Sequence, residues 1–159
     1  MPDSLSSPAL DPQSVTVRLG TTYPPPFQEI CENREKQALG DALGLTQFGV
    51  NLVRLAPGAA SAQRHWHTRE DEFVYVLDGE LALLTDAGEQ LLGAGTAAGF
   101  AGAKHDGHQL INRGSVTATY LEVGSRIPGE EVHYPDIDLH LVRKAEGGHY
   151  FQHKNGEAY

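Results

Sequence analysis

A chain of 159 residues is long enough for one domain with a real core and too short for two comfortable ones. Its 12 Lys and Arg stand against 21 Asp and Glu, and the formal charge of −9 argues against a nucleic-acid surface, which needs clustered cations for phosphate contacts. A single cysteine, Cys31, excludes an internal disulfide. No apolar run approaches membrane-spanning length, and Met1, Pro2, Asp3 and Ser4 open no basic and then apolar leader, so a cytoplasmic protein with no membrane partner is expected.

Residues 1–22 read as an N-terminal arm, Ser- and Pro-rich over 1–14, with an alternation over 15–19 that suits a strand. Tyr23, Pro24, Pro25, Pro26 and Phe27 form a stiff polyproline connection. Residues 28–39 hold enough Glu, Arg, Lys and Ala for a short helix, with Gly40 as its stop. Strands are then expected over 45–55, 73–77, 80–85, 90–92, 108–113 and 116–123, where aromatic and β-branched residues recur. Hairpin turns are expected at Leu77-Asp78-Gly79-Glu80, at Asp86-Ala87-Gly88 and at Arg113-Gly114-Ser115. Residues 126–159 form a C-terminal extension in which 132–142 adds one outer strand. Asp136 and Asp138 alternate there with Ile137 and Leu139, and an exposed strand explains them without a second metal site. Eighteen glycines and nine prolines between short apolar runs suit an all-β barrel with many turns, and no internal repeat is visible.

The segment with most chemistry is His65-Trp66-His67, followed by Glu72. Alternate side chains of a strand share a face, so His65 and His67 project together while Trp66 points away, toward packing or a subunit contact. Two imidazoles and a carboxylate on one face are donors for a divalent ion, and His108 supplies a fourth candidate at the start of a later strand. With eight histidines in the chain some close spacings are expected by chance, and an isolated HxH pair is commonly incidental. The surrounding glycines shift that balance. Gly58 precedes His65 and Gly79 follows Glu72; Gly95, Gly99, Gly102 and Gly107 precede His108, with Asn112 four residues beyond it.

In these residues the chain resembles the cupin superfamily over roughly residues 45–125. The first cupin motif corresponds to Gly58, His65, His67, Glu72 and Gly79, with one extra residue between Gly58 and His65; the second corresponds to Gly95, His108 and Asn112. Ala101 stands where the family usually has proline and Ala103 where it usually has glycine, so that turn is expected to be looser. The resemblance implies an all-β, single-domain cupin barrel (a double-stranded β-helix or jelly roll) over residues 1–159, with a short N-terminal helical or loop segment. It also implies one divalent metal ion held by His65, His67, Glu72 and His108. Mixed nitrogen and oxygen ligation suits Fe, Mn, Ni, Cu or Zn.

Three imidazoles and one carboxylate leave a divalent site with a net charge of about +1 and, in an octahedral shell, open positions for a bidentate substrate. The expected partner is a small polar or anionic molecule. On the strand expected over 45–55, Gln47 and Asn51 share a phase and are candidate substrate contacts, with satisfaction of strand edges as the alternative; Tyr120 and Glu122 share a strand face, and either could act as acid or base if inward. Arg64, Arg69, Lys104 and Arg113 are nearer to ordinary surface solvation. Small cupins similar to this one imply a sugar-phosphate isomerase-like enzyme. A dioxygenase or decarboxylase would use the same four ligands, and a small-ligand-binding cupin without turnover is a third reading. The arm and extra C-terminal strand also give material for a homodimer.

Overall fold

The architecture is described by a computed structural model over residues 5–159; the first four residues of the arm, including the segment read for a leader, lie outside the described residues. Thirteen strands follow in chain order: β1 (Arg18–Leu19), β2 (Arg34–Ala38), β3 (Phe48–Leu55), β4 (Trp66–His67), β5 (Glu72–Asp78), β6 (Glu80–Thr85), β7 (Gly88–Gly93), β8 (Ala97–Phe100), β9 (Gln109–Ile111), β10 (Ala118–Ser125), β11 (Glu131–Tyr134), β12 (Leu139–Arg143) and β13 (His149–Gln152). Among the described residues the one α-helix, α1 (Leu39–Ala42), is a single turn. Among the described residues no helix is long and apolar enough to cross a membrane.

The strands form a six-stranded sheet in the order β1-β2-β3-β10-β5-β8, a four-stranded sheet β13-β12-β11-β4 and a three-stranded sheet β7-β6-β9, the all-β jelly-roll arrangement expected. One face of the six-stranded sheet contributes Val53, Leu55, Val74, Val76, Ala118 and Tyr120 to a core completed by Leu81 and Leu83 of β6 and Leu110 of β9. Each such aliphatic side chain stabilises the fold by about 1.5–3 kcal/mol. A second cluster packs Tyr23 and Cys31 of the N-terminal region against Val132, Tyr134 and Leu139 of the four-stranded sheet. This is what holds the C-terminal extension to the segment that follows the arm.

Several local expectations give way to tertiary pairing. The stretch read as a helix is β2, preceded by a 3-10 turn at Glu29–Cys31. Its residues have helical propensity, but pairing Lys36 with Val53 and Gln37 with Leu52 satisfies the backbone in a ladder and overrides that small preference. Gly40 lies inside α1 and not beyond it. A Cβ there would come within 2.8 Å of Val50 N, so the glycine admits the helix against β3. The arm is held where Gln37 Nε2 donates to the carbonyls of Pro12 and Val15, and only Arg18–Leu19 of the strand expected over 15–19 pairs. The polyproline segment folds into a turn, with Phe27 N–H donating to Pro24 O.

Neither the Gly79 nor the Gly114 turn closes a hairpin, because β5 and β10 pair within the six-stranded sheet while β6 and β9 pair with each other. Both turns are corners that carry the chain from one sheet to another. Gly79 has φ 77°, and a Cβ there would stand 2.9 Å from Ala118 Cα. The Asp86-Ala87 hairpin does join β6 to β7. The extension holds three strands instead of one. Asp136 and Asp138 sit in the turn between β11 and β12, where they bind Arg64 and His153, not on an exposed strand.

Candidate metal centre

Backbone pairing explains how ligands so distant in sequence meet. His65 N–H donates to His108 O at 3.1 Å and His108 N–H returns to His65 O at 2.8 Å, a bridge linking the entry to β4 with the entry to β9. Glu72 opens β5 opposite Phe100 of β8, so the six-stranded sheet brings it from the facing side. The ring of Phe100 lies flat on His108, with centroids 3.7 Å apart and planes at 6°. The four residues thus come together where three sheets meet. They occupy more than one strand, because the HxH pair and Glu72 are separated by the turn over 68–71.

Three Nε2 atoms converge on one oxygen. Glu72 Oε2 is 3.2 Å from His108, 3.3 Å from His67 and 3.7 Å from His65. The side chains retain between 5% and 16% exposure, so the charge they gather is poorly solvated. His65 Nδ1 lies 2.8 Å from the Gln63 carbonyl and His67 Nδ1 lies 3.3 Å from Glu130 Oε1; both neighbours only accept. The neutral rings therefore carry their protons on Nδ1 and aim Nε2 lone pairs inward. His108 Nδ1 has no hydrogen-bond partner among the described residues. With His108 Nε2 also 3.2 Å from Glu72, the Nε2 lone pairs of His65 and His67 and the carboxylate repel unless a proton or a cation sits among them.

The titration behaviour expresses that demand. Burial opposes ionisation of Glu72, yet contacts from His108, His65 and His67 hold its carboxyl well below the ordinary value. Burial pushes His65 down. Burial also opposes charge on His67, but the carboxylates of Glu130 and Glu72 prevail and raise it to about 9. A divalent ion meets the same need with greater charge. The set of four donor groups, with atoms within 4.8 Å of one another, fits such an ion.

The quartet faces a cavity of about 680 Å³. Lys36, Asn51, Tyr120 and Glu122 line its wall; Lys36 Nζ donates to Glu122 Oε1 at 2.7 Å and Asn51 Nδ2 to the same oxygen at 2.9 Å. Tyr120 is fully buried, its hydroxyl has no partner among the described residues, and burial raises its pKa well above the ordinary value. Arg126 and Arg143 also line the cavity, paired with Asp41 and Glu70. Gln47 stands apart: it is exposed, precedes β3 and does not line the cavity, so it does not share the phase of Asn51 on one strand. Arg64 pairs with Asp86 and Asp136, and Arg113 with Glu89, away from the cavity. Asn112 binds backbone only, its amide donating to the carbonyls of Leu55 and Val116.

Lys36 escaped sequence reading because its strand reads as a helix; the alternation of Arg34 and Lys36 with Glu35 and Gln37 was the available signal. Glu130 carried none, since its role depends on β11 pairing with β4.

The cupin domain family model matches residues 51–124. A cupin-superfamily sugar phosphate isomerase from Silicibacter pomeroyi is 43% identical, with 96% of each chain covered and a TM-score of 0.91. The chain belongs to the cupin superfamily. A protein assigned as a sugar phosphate isomerase from Acidithiobacillus ferrooxidans shares 30% identity with this cupin over 79% of this chain and 80% of that one, at a TM-score of 0.71. The polyketide cyclase RemF of Streptomyces resistomycificus, 20% identical over 81% of this cupin and 85% of its own chain, has a TM-score of 0.65 and shares the fold alone. A search of curated protein sequences finds no match.

Proposed function

We propose that this cupin is a metal-dependent enzyme that isomerises a small sugar phosphate. The observation that carries the reading is the placing of His65, His67, Glu72 and His108 in a cavity that also holds a braced carboxylate, Glu122. The likeness in sequence to the isomerase from Silicibacter pomeroyi supports the substrate class.

A divalent ion held by the quartet would supply Lewis acidity to adjacent carbonyl and hydroxyl oxygens. Glu122 is the candidate base. It pairs with Val74 while Gly124 pairs with Glu72, which sets Glu122 one diagonal step from Glu72, about 7–8 Å in a regular sheet. Lys36 and Asn51 fix the carboxylate by one oxygen and leave the other free to take a proton. In the isomerisation, Glu122 would remove the hydrogen from the hydroxyl-bearing carbon and return it to the former carbonyl carbon. The hydroxyl proton passes to the former carbonyl oxygen, and Tyr120 is a candidate donor along that route. Arg126 and Arg143 offer positive charge to the phosphate.

Metal-reconstituted protein in deuterated water should incorporate deuterium beside the carbonyl of a suitable aldose or ketose phosphate, with Glu122→Gln losing at least about a hundredfold in rate. Binding of such phosphates with neither exchange nor isomerisation would replace the enzyme reading with that of a binding protein. We also propose a cytoplasmic homodimer. Its candidate contact is the outer face of the six-stranded sheet, where Phe73, Tyr75 and Leu77 stand 44%, 39% and 45% exposed in a row.

A further inference from the structure

The four-stranded sheet carries its own histidines on the side away from the cavity. Val132 and Tyr134 of β11 face the core, so Glu131 and His133 face outward. His133 pairs in register with His140 of β12, which brings a third polar side chain to the same outer patch. The stacking of Trp66, whose neighbours His65 and His67 point into the cavity, on His133 confirms the opposite orientation.

We propose that Glu131, His133 and His140 form a second divalent metal site, open to solvent and back to back with the first. Both imidazoles bring Nε2 close to one carboxylate oxygen. Glu131 Oε2 is 3.0 Å from His140 Nε2 and 3.9 Å from His133 Nε2, and all three donor atoms lie within 4.8 Å of one another. Ligands about 2.0–2.2 Å from a common zinc ion need separations of this order.

The rings are held before any ion arrives. His133 lies between Trp66, with centroids 4.3 Å apart and planes at 16°, and His140, at 4.5 Å and 20°. The side-chain amide of Gln152 on β13 is 3.0 Å from His140 Nδ1. The atom nearest that ring nitrogen is Gln152 Nε2, which donates to Nδ1 and leaves the ring proton on Nε2, 3.0 Å from Glu131 Oε2; an ion taking the site displaces that proton.

Side-chain exposures of 37% for His133, 15% for His140 and 45% for Glu131 leave room for water at the remaining positions. Two imidazoles and one carboxylate select zinc, nickel or copper over magnesium or calcium.

The test is equilibrium dialysis of untagged, metal-stripped protein against Zn²⁺. Two equivalents per chain are expected for the wild type, and one for His133→Asn/His140→Gln. His65→Ala/His67→Ala should keep the outer equivalent, which separates failure of this site from failure of the first. Trp66 is the sole tryptophan, so in that second variant Cu²⁺ should quench its fluorescence saturably at one equivalent. Should that variant not fold, comparison of the wild type with His133→Asn/His140→Gln still decides the matter. Zinc binding that His133→Asn/His140→Gln leaves undiminished from the wild type, whatever the wild-type stoichiometry, would overturn the proposal.

Discussion

Glu130 Oε1 lies 3.3 Å from His67 Nδ1, so a residue of the C-terminal extension orients a candidate ligand of the metal site. The same carboxylate accepts from the backbone amides of Thr68, Arg69 and Glu70, each at 2.9 Å, and is itself fully buried. It therefore shapes the whole turn between the HxH pair and Glu72.

Acid sensitivity should follow from this carboxylate. Burial works to raise its pKa, but His67 and the amides of Glu70 and Thr68 outweigh burial and hold it below the ordinary 4.5. A pKa lowered by folding means stability that is complete above about 4.5 and is lost as pH falls through the folded value. Urea unfolding from neutral pH down to about 3 should show a flatter acid limb for Glu130→Gln than for the wild type. Equal acid slopes would count against the assignment.

Glu72→Gln should abolish most metal binding at the centre, whereas Glu70→Gln should keep it. Glu70 is buried as well, but it accepts from Ile127 N–H at 2.7 Å and pairs with Arg143. Its substitution should cost about 1–3 kcal/mol of stability and little metal. Elemental analysis after dialysis checks the pair, and equal metal content in both variants would contradict the ligand set.

Ala103→Gly should stabilise the protein by about 1 kcal/mol. The turn lacking the family's usual proline and glycine was expected to be looser, yet Ala103 keeps the left-handed backbone at φ 63°. Its N–H donates to the His67 carbonyl at 3.0 Å, which ties the turn to β4 and holds the alanine in that strained conformation. Chemical denaturation midpoints would reveal the gain.

Light scattering at micromolar concentration should report a dimer, and Tyr75→Glu should dissociate it. Tyr75 stands opposite Leu121 on β10, amid the apolar row of the outer face. A monomeric wild type would remove the homodimer.

The legible parts of this fold are those in which side-chain pattern and environment agree. The Glu80–Thr85 strand lies where it was expected, and Val74 and Val76 alternate inward against Phe73 and Tyr75 as a half-buried strand requires. The four candidate ligands were legible because spacing around glycines marks them, and the sheets do bring them together. Lys36 was hidden because its neighbours favour a helix in isolation, and only β3 settles the matter. Strand β8, Ala-Ala-Gly-Phe, has almost no strand signal of its own; its place comes from pairing with β5. Gln47 lies just outside β3, which begins at Phe48 and not at 45 as the apolar run suggests, so no strand pairing turns its amide toward the side of Asn51.

The flat contact between Phe100 and His108 has a spectroscopic consequence. Carbon-bound protons of that imidazole sit above an aromatic ring and should resonate upfield of their counterparts in His65 and His67, neither of which has a phenyl ring stacked on it. The centre thus contains its own magnetic label, able to report on the state of one ligand without any added probe.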